Sequence, residues 1–481
     1  MRTSGLSAAA LLALAVPAWG QDPQPPPEPG GLPALVGDPL VNYPVPFYGE
    51  DIPVTGFAPA GGSWSAPGGS PQGFAPTANV CDPCSYPFDP CLPKNRRGSG
   101  RCQVESWIRA DWLYWQMRNV PVPPLITTGN PSLANPSVPG GGNITPLVGP
   151  SRDLGGFHGL RVTIGRWFDP DGELGGEVSG FVFGREGSSD FFRSSSFPVL
   201  SVPVLGTDGT PAVFSFAFPG VFAGSLGVRT ASQLWSGEGN LLRRVRGDGC
   251  LSVDGLFGYR YLQLNERIEL VGRFQTLTSG MGTFGGAALP AGVTVTTTDT
   301  FRACTEFHGA QIGGRVEVRR DMFTVTLSGK GGAGVNLQTL RVEGNSQASG
   351  FGVTRTLVGG VRALPSNFGR DTNTDFSLIG EAGIEVGFQA TKNLSIRVGY
   401  NLLFWSDVLR PASVIDPVVS FSQVPIDPTF GTPPTGPARP VTVFRSSDFL
   451  AHGLVVGALL EYSGRSRCRE PSGTNQHACA C

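Results

Sequence analysis

Charge is scarce in this 481-residue chain: Asp, Glu, Lys and Arg make up 15% of it, against the usual quarter. The 36 basic and 37 acidic residues nearly cancel, which excludes the basic face a nucleic-acid binder needs. Histidine is scarcer still. Four residues, His158, His308, His452 and His477, leave little for His-based catalysis or metal binding, and no acid lies at ligand spacing from them. Long apolar runs are missing too: past residue 20 no stretch of about 18 apolar residues occurs, so no transmembrane helix is expected. HExxH, GxSxG and P-loop spacings are absent. One glycine motif, Gly329-Lys330-Gly331-Gly332-Ala333-Gly334, follows a strand-like stretch. It runs on into Val335-Asn336-Leu337-Gln338 with no helix to hold a phosphate, so glycine kinks in a curved strand account for it. No catalytic residue, metal site or cofactor is expected.

Gly (69) and Pro (43) are abundant, without the period of collagen. Aromatics at 10% and hydrophobics at 40% argue against a wholly disordered chain. Residues 1–20 read as an export signal: Arg2, an apolar core from Leu6 to Val16, and the small-x-small site Ala18-Trp19-Gly20. Residues 21–100 hold 18 of the 43 prolines. Within them, 21–80 read as an extended Pro/Gly-rich linker that cannot bury a core, and 81–102 as a Cys-rich segment.

From residue 103 the pattern changes to period 2. Its clearest stretch sets Phe376, Leu378, Gly380, Ala382, Ile384, Val386 and Phe388 on one face, against Ser377, Glu381, Glu385 and Gln389 on the other. Twelve steps of roughly 3.3 Å make about 40 Å of strand. Tilted as barrel strands are, that spans roughly 28–30 Å, the height of a membrane barrel's apolar band. Nine further stretches repeat the scheme, near 104–118, 158–168, 173–184, 227–245, 250–276, 299–318, 322–342, 394–404 and 447–462. Four tight turns (169–172, 246–249, 319–321, 391–393) alternate with five long loops (119–157, 185–226, 277–298, 344–374, 406–446), and six of the eight Trp fall in strands, as interfacial girdles would require.

The expected fold is therefore all-β: a transmembrane, antiparallel, up-and-down β-barrel over 103–462, with about ten strands. Twelve is the alternative if a long loop hides a hairpin. Long outer loops and a Pro-rich N-terminal extension complete it, with a Cys-containing tail at 463–481. Short turns and both termini should face the periplasm of an outer-membrane protein. By parity Arg109, Asp111, Arg161, Glu177, Glu238, Asp254, Arg260, Arg315, Glu317, Glu381, Glu385 and Arg397 face the lumen, since a mid-membrane charge on the lipid side would cost roughly 2–4 kcal/mol. The 391–393 turn places Arg397 near 387, within expected reach of Glu381 and Glu385.

Three stretches, Trp107-Ile108-Arg109-Ala110-Asp111-Trp112-Leu113, Gly159-Leu160-Arg161-Val162-Thr163-Ile164-Gly165-Arg166-Trp167 and Phe307-His308-Gly309-Ala310-Gln311-Ile312-Gly313, together with Tyr400 to Asp416, resemble the beta-barrel porin-7 family. The resemblance covers about 103–462. It implies an outer-membrane barrel of planctomycete-type bacteria and names no catalytic residue.

Eight of the nine Cys gather on the expected periplasmic side: Cys81, Cys84, Cys91, Cys102, Cys250, Cys468, Cys479 and Cys481, with Cys304 apart, high on the sixth strand. In an oxidising compartment they are disulfide candidates. Zinc is the alternative for Cys81-x-x-Cys84 with Cys91 and Cys102, or with His477, Cys479 and Cys481. Cys250 and Cys304 sit at opposite ends of neighbouring strands and should not pair. The expected function is passive or gated passage of small solutes through a narrow polar lumen. The alternative is a structural or surface-interaction barrel, cross-linked through its Cys-rich ends to cell wall or to other copies, with outer-membrane lipid as the constant partner.

Overall fold

The computed structural model describes residues 104–463 apart from 132–143, 150, 153–154, 170, 248–249 and 435. The leader, the Pro-rich linker, the 81–102 segment and the 464–481 tail lie outside the described residues.

Ten long strands form one closed ring: β1 (Val104–Met117), β2 (Gly156–Trp167), β3 (Leu174–Phe183), β4 (Phe222–Gly247), β5 (Leu251–Thr276), β6 (Thr294–Arg320), β7 (Phe323–Gly350), β8 (Gly369–Gln389), β9 (Leu394–Leu409) and β10 (Ser446–Ser463). Each pairs antiparallel with its neighbours in chain order, and β1 pairs with both β2 and β10, which closes the barrel. A short strand, Glu186–Arg193, continues the line of β3 up the side of β4. Closure leaves no open sheet edge in the ring, the condition for a sheet to sit in lipid.

Local chemistry sets the tight turns. The Asp169 carboxylate accepts the backbone N–H of Glu173 at 2.8 Å and of Leu174 at 3.2 Å, which fixes the β2–β3 hairpin. Between β6 and β7 two residues suffice because Asp321 takes a left-handed conformation (φ 53°) that Asp tolerates.

On one side of the barrel β4, β6 and β7 run well past their expected bounds, while β5 keeps the length expected of it. β4 to β7 run 26 to 28 residues, roughly 90 Å of strand. A membrane accounts for about half of that. The excess has its own logic, legible on β5. From Val253 to Tyr261 the outward face is apolar (Phe257 60% exposed) and the inward face carries Asp254 and Arg260. Beyond Tyr261 the sides exchange: Gln263, Asn265, Arg267 and Glu269 face out, while Leu262, Leu264, Ile268 and Leu270 are buried inside. On β6 the change falls at the same level, Ile312, Ala310 and His308 giving way outside to Glu306, Cys304 and Arg302, and Arg315 and Gln311 giving way inside to Phe307, Ala303 and Phe301. Below this level the wall is solvated by lipid, above it by water.

The long connections are not structureless. Above the lipid band they fold into a cap with an apolar core. Ile126–Gly129, Ile144–Val148, Leu200–Gly206, Pro211–Ala217 and Val418–Val419 form a small sheet, and Leu200, Val202, Phe216 and Val361 pack on the inner wall at Leu226, Val228, Ile268, Phe301 and Leu340. Each such fully buried side chain contributes about 1.5–3 kcal/mol of transfer free energy. The Asp299 carboxylate on the inner wall ties the cap down, accepting the backbone N–H groups of Val361 (2.9 Å), Arg362 (2.9 Å) and Ala363 (2.7 Å). Arg362 reaches on to the carbonyls of Pro124 and Pro203.

Two expectations need correction. The loops were expected as open rim loops, but alternating apolar residues within them, such as Leu200, Val202 and Val204, build the cap. The strand tryptophans were expected in outer girdles, but Trp107, Trp115, Trp167 and Trp405 are buried inside, and only Trp112 and Trp235 lie on the outer face. The girdle next to the cap is made instead of Tyr–His neighbours. Tyr114 and His158 are cross-strand partners, the Tyr259 hydroxyl contacts His308 Nδ1 at 2.6 Å, and the Tyr400 hydroxyl contacts His452 Nδ1 at 2.5 Å.

Candidate functional site: a closed lumen

All twelve charged residues singled out by parity point into the barrel, and they join into networks that cross it as chords. Glu238 on β4 accepts Lys330 of β7 at 2.5 Å and lies 3.7 Å from Arg260 of β5. Arg260, 1% exposed, reaches Glu381 of β8 at 2.6 Å, which also takes Arg161 of β2 at 3.1 Å. A second chain runs from Asp111 through Arg109 (2.8 Å) to Glu385 (2.7 Å), then to Arg397 (3.9 Å) and Glu317 (3.6 Å). Glu177 and Arg315 pair at 3.0 Å across from β3 to β6, and Asp254 takes Arg244 at 2.9 Å. Buried charges persist when they are paired and hydrogen-bonded. The reach of Glu381 differs from expectation: Arg397 finds Glu385 and Glu317, while Glu381 is held by Arg260 and Arg161, two steps further along the strand.

Lys330, Arg244, Arg319, Asn240 and Gln311 also belong to this layer and were not singled out from the sequence. Gln311 donates to Glu238 at 3.0 Å and to Asn240 at 2.7 Å. Lys330 shares the parity of Thr324 and Thr326, but the glycines around it hide the alternation. Those glycines admit close packing: a Cβ on Gly334 would strike the His308 carbonyl oxygen.

Apolar clusters interrupt and cover the charges. Toward the chain termini Trp107, Trp167, Leu242, Leu256 and Leu459 pack among them, with Arg244, Asp254, Arg315 and Glu317 nearer the turns than Leu242 and Leu256. Toward the cap, Trp115, Phe157, Phe183, Leu262, Phe307, Trp405 and Phe449 fill the cross-section. The expected narrow polar lumen is thus polar over its turn-side part and apolar toward the cap.

Above that aromatic layer the end of β9 leans across the barrel. A register shift between Trp405 and Val408, with Asp407 at φ 54°, turns it inward. Side chains of three other strands receive it: Asn336 and Gln338 donate to the Asp407 carbonyl (2.8 and 2.6 Å), Ser377 to the Ser406 carbonyl (2.8 Å), and Thr305 contacts Leu409. Arg410, just past β9, is clamped by Glu266 through two bonds of 2.8 and 2.5 Å and donates to the Arg118 carbonyl.

Cys304 is a free thiol beside Gln263, far from Cys250, which precedes β5 and whose carbonyl accepts the Arg319 N–H at the other end of β6. Cys250 is not free. The other seven cysteines lie outside the described residues, as does His477.

The profile of the family described as "Putative beta barrel porin-7" matches residues 107–462. The chain belongs to this porin-7 family. Among solved structures, the chain is similar to the outer membrane protease OmpT from Escherichia coli, at a TM-score of 0.34 and 8% identity over 75% of this chain and 97% of that one. It is also similar to the P. putida toluene transporter TodX (TM-score 0.14, 8% identity, 75% and 91% coverage) and to a Pseudomonas aeruginosa FadL homologue (0.16, 10%, 75% and 90%). No curated protein matches the chain. The porin-7 match and the ring of ten strands make this a barrel of the outer-membrane porin or transporter kind.

Proposed function

We propose that this porin-7 barrel is a gated, non-enzymatic outer-membrane channel for small solutes, exported by its 1–20 leader and set with both termini in the periplasm. Outer-membrane lipid surrounds the apolar band, and the terminal cysteines form disulfides below it. The lumen is closed at rest and passes solutes when the Trp405–Arg410 end of β9 withdraws. That motion takes Trp405 away from Phe307 and Phe449 and loosens the aromatic layer that otherwise blocks the path. What carries this reading is how that end is held. Its two bulged residues, Ser406 and Asp407, leave the β-ladder, which resumes with β10 only at Val408 and Leu409, and polar side chains and one buried ion pair hold the rest. Two-state transitions commonly proceed by repacking interface side-chain contacts and salt bridges of this kind.

Planar-bilayer recordings test it. The unmodified protein should be almost silent. The pair Glu266→Ala with Arg410→Ala, which strands no charge, should open often while keeping the heat-modifiable folded band. A folded pair variant as silent as its parent would favour the second reading, a structural or surface-interaction barrel. The packed cap speaks for that reading, since a core of this extent suits a presented surface as well as a lid.

A further inference from the structure

On the outer wall above the Tyr–His girdle, four arginines stand in one cross-strand row. Arg267 of β5 faces Arg302 of β6, Arg302 faces Arg341 of β7, and Arg341 faces Arg370 of β8. Strands lie about 4.8 Å apart, so the row is roughly 15 Å long. Like charges directly opposite each other are destabilising. Local carboxylates relieve this only in part: Glu269 lies 3.1 Å from Arg267, and Glu343 is shared between Arg341 (2.6 Å) and Arg302 (3.7 Å). Arg370 has no carboxylate partner among the described residues. Neither barrel closure nor the cap uses these side chains, because they point away from both.

We propose that this row binds the phosphates of a phosphorylated saccharide, such as the headgroup of an outer-leaflet glycolipid. Guanidinium forks match phosphate oxygens bidentately. Height excludes a simple phospholipid: Arg267 lies six residues beyond Tyr261, where the lipid-facing part of β5 ends, which places it roughly 15 Å above the lipid interface. A glycolipid's saccharide carries phosphates up to that level, whereas the phosphate of a simple phospholipid stays at the interface below it. The next row toward the membrane, Asn265, Cys304, Thr339 and Thr372, supplies amide and hydroxyl groups suited to sugar hydroxyls. The site rests on the orientation proposed above, with the cap outside the cell.

The test uses the full-length protein in phosphatidylcholine nanodiscs carrying purified lipopolysaccharide, the same material after enzymatic dephosphorylation, or no glycolipid but the released phosphorylated core saccharide in solution. Binding should be retained for both phosphorylated probes if the headgroup alone suffices, and for the membrane-anchored one alone if anchoring is needed. In either case Arg302→Gln with Arg341→Gln should weaken it at least tenfold, with heat-modifiability unchanged. Equal binding by the double variant, or by the dephosphorylated probe, overturns the proposal. An epitope inserted at Phe351–Gly352 and probed on intact cells reads orientation independently. If it is hidden, the orientation fails, while the nanodisc result still decides the arginine row.

Discussion

Asp299 is a carboxylate packed where its charge is poorly tolerated. It stands on the water-side part of β6, above the lipid band, fully buried beneath the cap. Burial pushes its carboxyl up to about 6 against the opposing pull of the three N–H donors and Arg362. The folded cap therefore holds a proton that the unfolded chain, with an ordinary Asp, has already released. Stability is full below about pH 4 and declines as pH rises through about 6, by on the order of 3 kcal/mol. Asp299→Asn keeps an acceptor and removes the titration, so its profile should be flat. Hydrogen exchange at the 361–363 amides between pH 4 and 7 reads the difference, and a parallel slope in both proteins would contradict it. Arg260 makes the converse case, a charge that is satisfied. Arg260→Ala strands Glu238 and Glu381 with fewer partners and should cost about 3–5 kcal/mol in urea unfolding.

A strand of this barrel serves two solvents in turn, and that explains what its sequence discloses. Where lipid is outside, apolar residues alternate with charges, and the pattern is plain: Phe376 to Phe388 and Leu394 to Phe404 were readable, as was the inward side of every charged candidate. Past Tyr261 on β5 or His308 on β6 the period persists but its sense reverses. Thr294, Thr296, Thr298 and Thr300 outside and Val295 and Phe301 inside then resemble a soluble edge, so strand ends fell short by up to eight residues. The ion-pair partners were less legible than the facing, because chords across a barrel depend on shear and tilt, which no local period encodes. The two halves of β7 should answer differently to the same change. Leu327→Arg on the lipid band should cost roughly 2–4 kcal/mol in vesicle refolding, whereas Gln347→Arg on the water-exposed wall should be nearly neutral. Equal costs would mean that both halves contact lipid.

At the scale of the whole molecule, charges, aromatics and cap fill the barrel at three successive levels. Ten strands stand near the small end of the series, where side chains occupy the interior. Glu385→Gln alone should therefore leave conductance low, since Trp115, Phe157 and Phe307 still block the path above it. A large steady current from that variant would show that the charged layer is the seal. The Pro-rich 21–80 segment contributes no core by composition, so a chain lacking it should refold to the same heat-modifiable barrel; failure to do so would give the segment a place inside the lumen. The ring itself closes through β1 and β10, with Ser106 beside Tyr462. Every other seam joins strands that are neighbours in the chain, whereas this one joins residues more than 350 apart and carries the loop-closure entropy of nearly the whole barrel. The seam should thus zip last, and a nascent barrel must wait, as a curled sheet with two raw edges, until its final strand arrives.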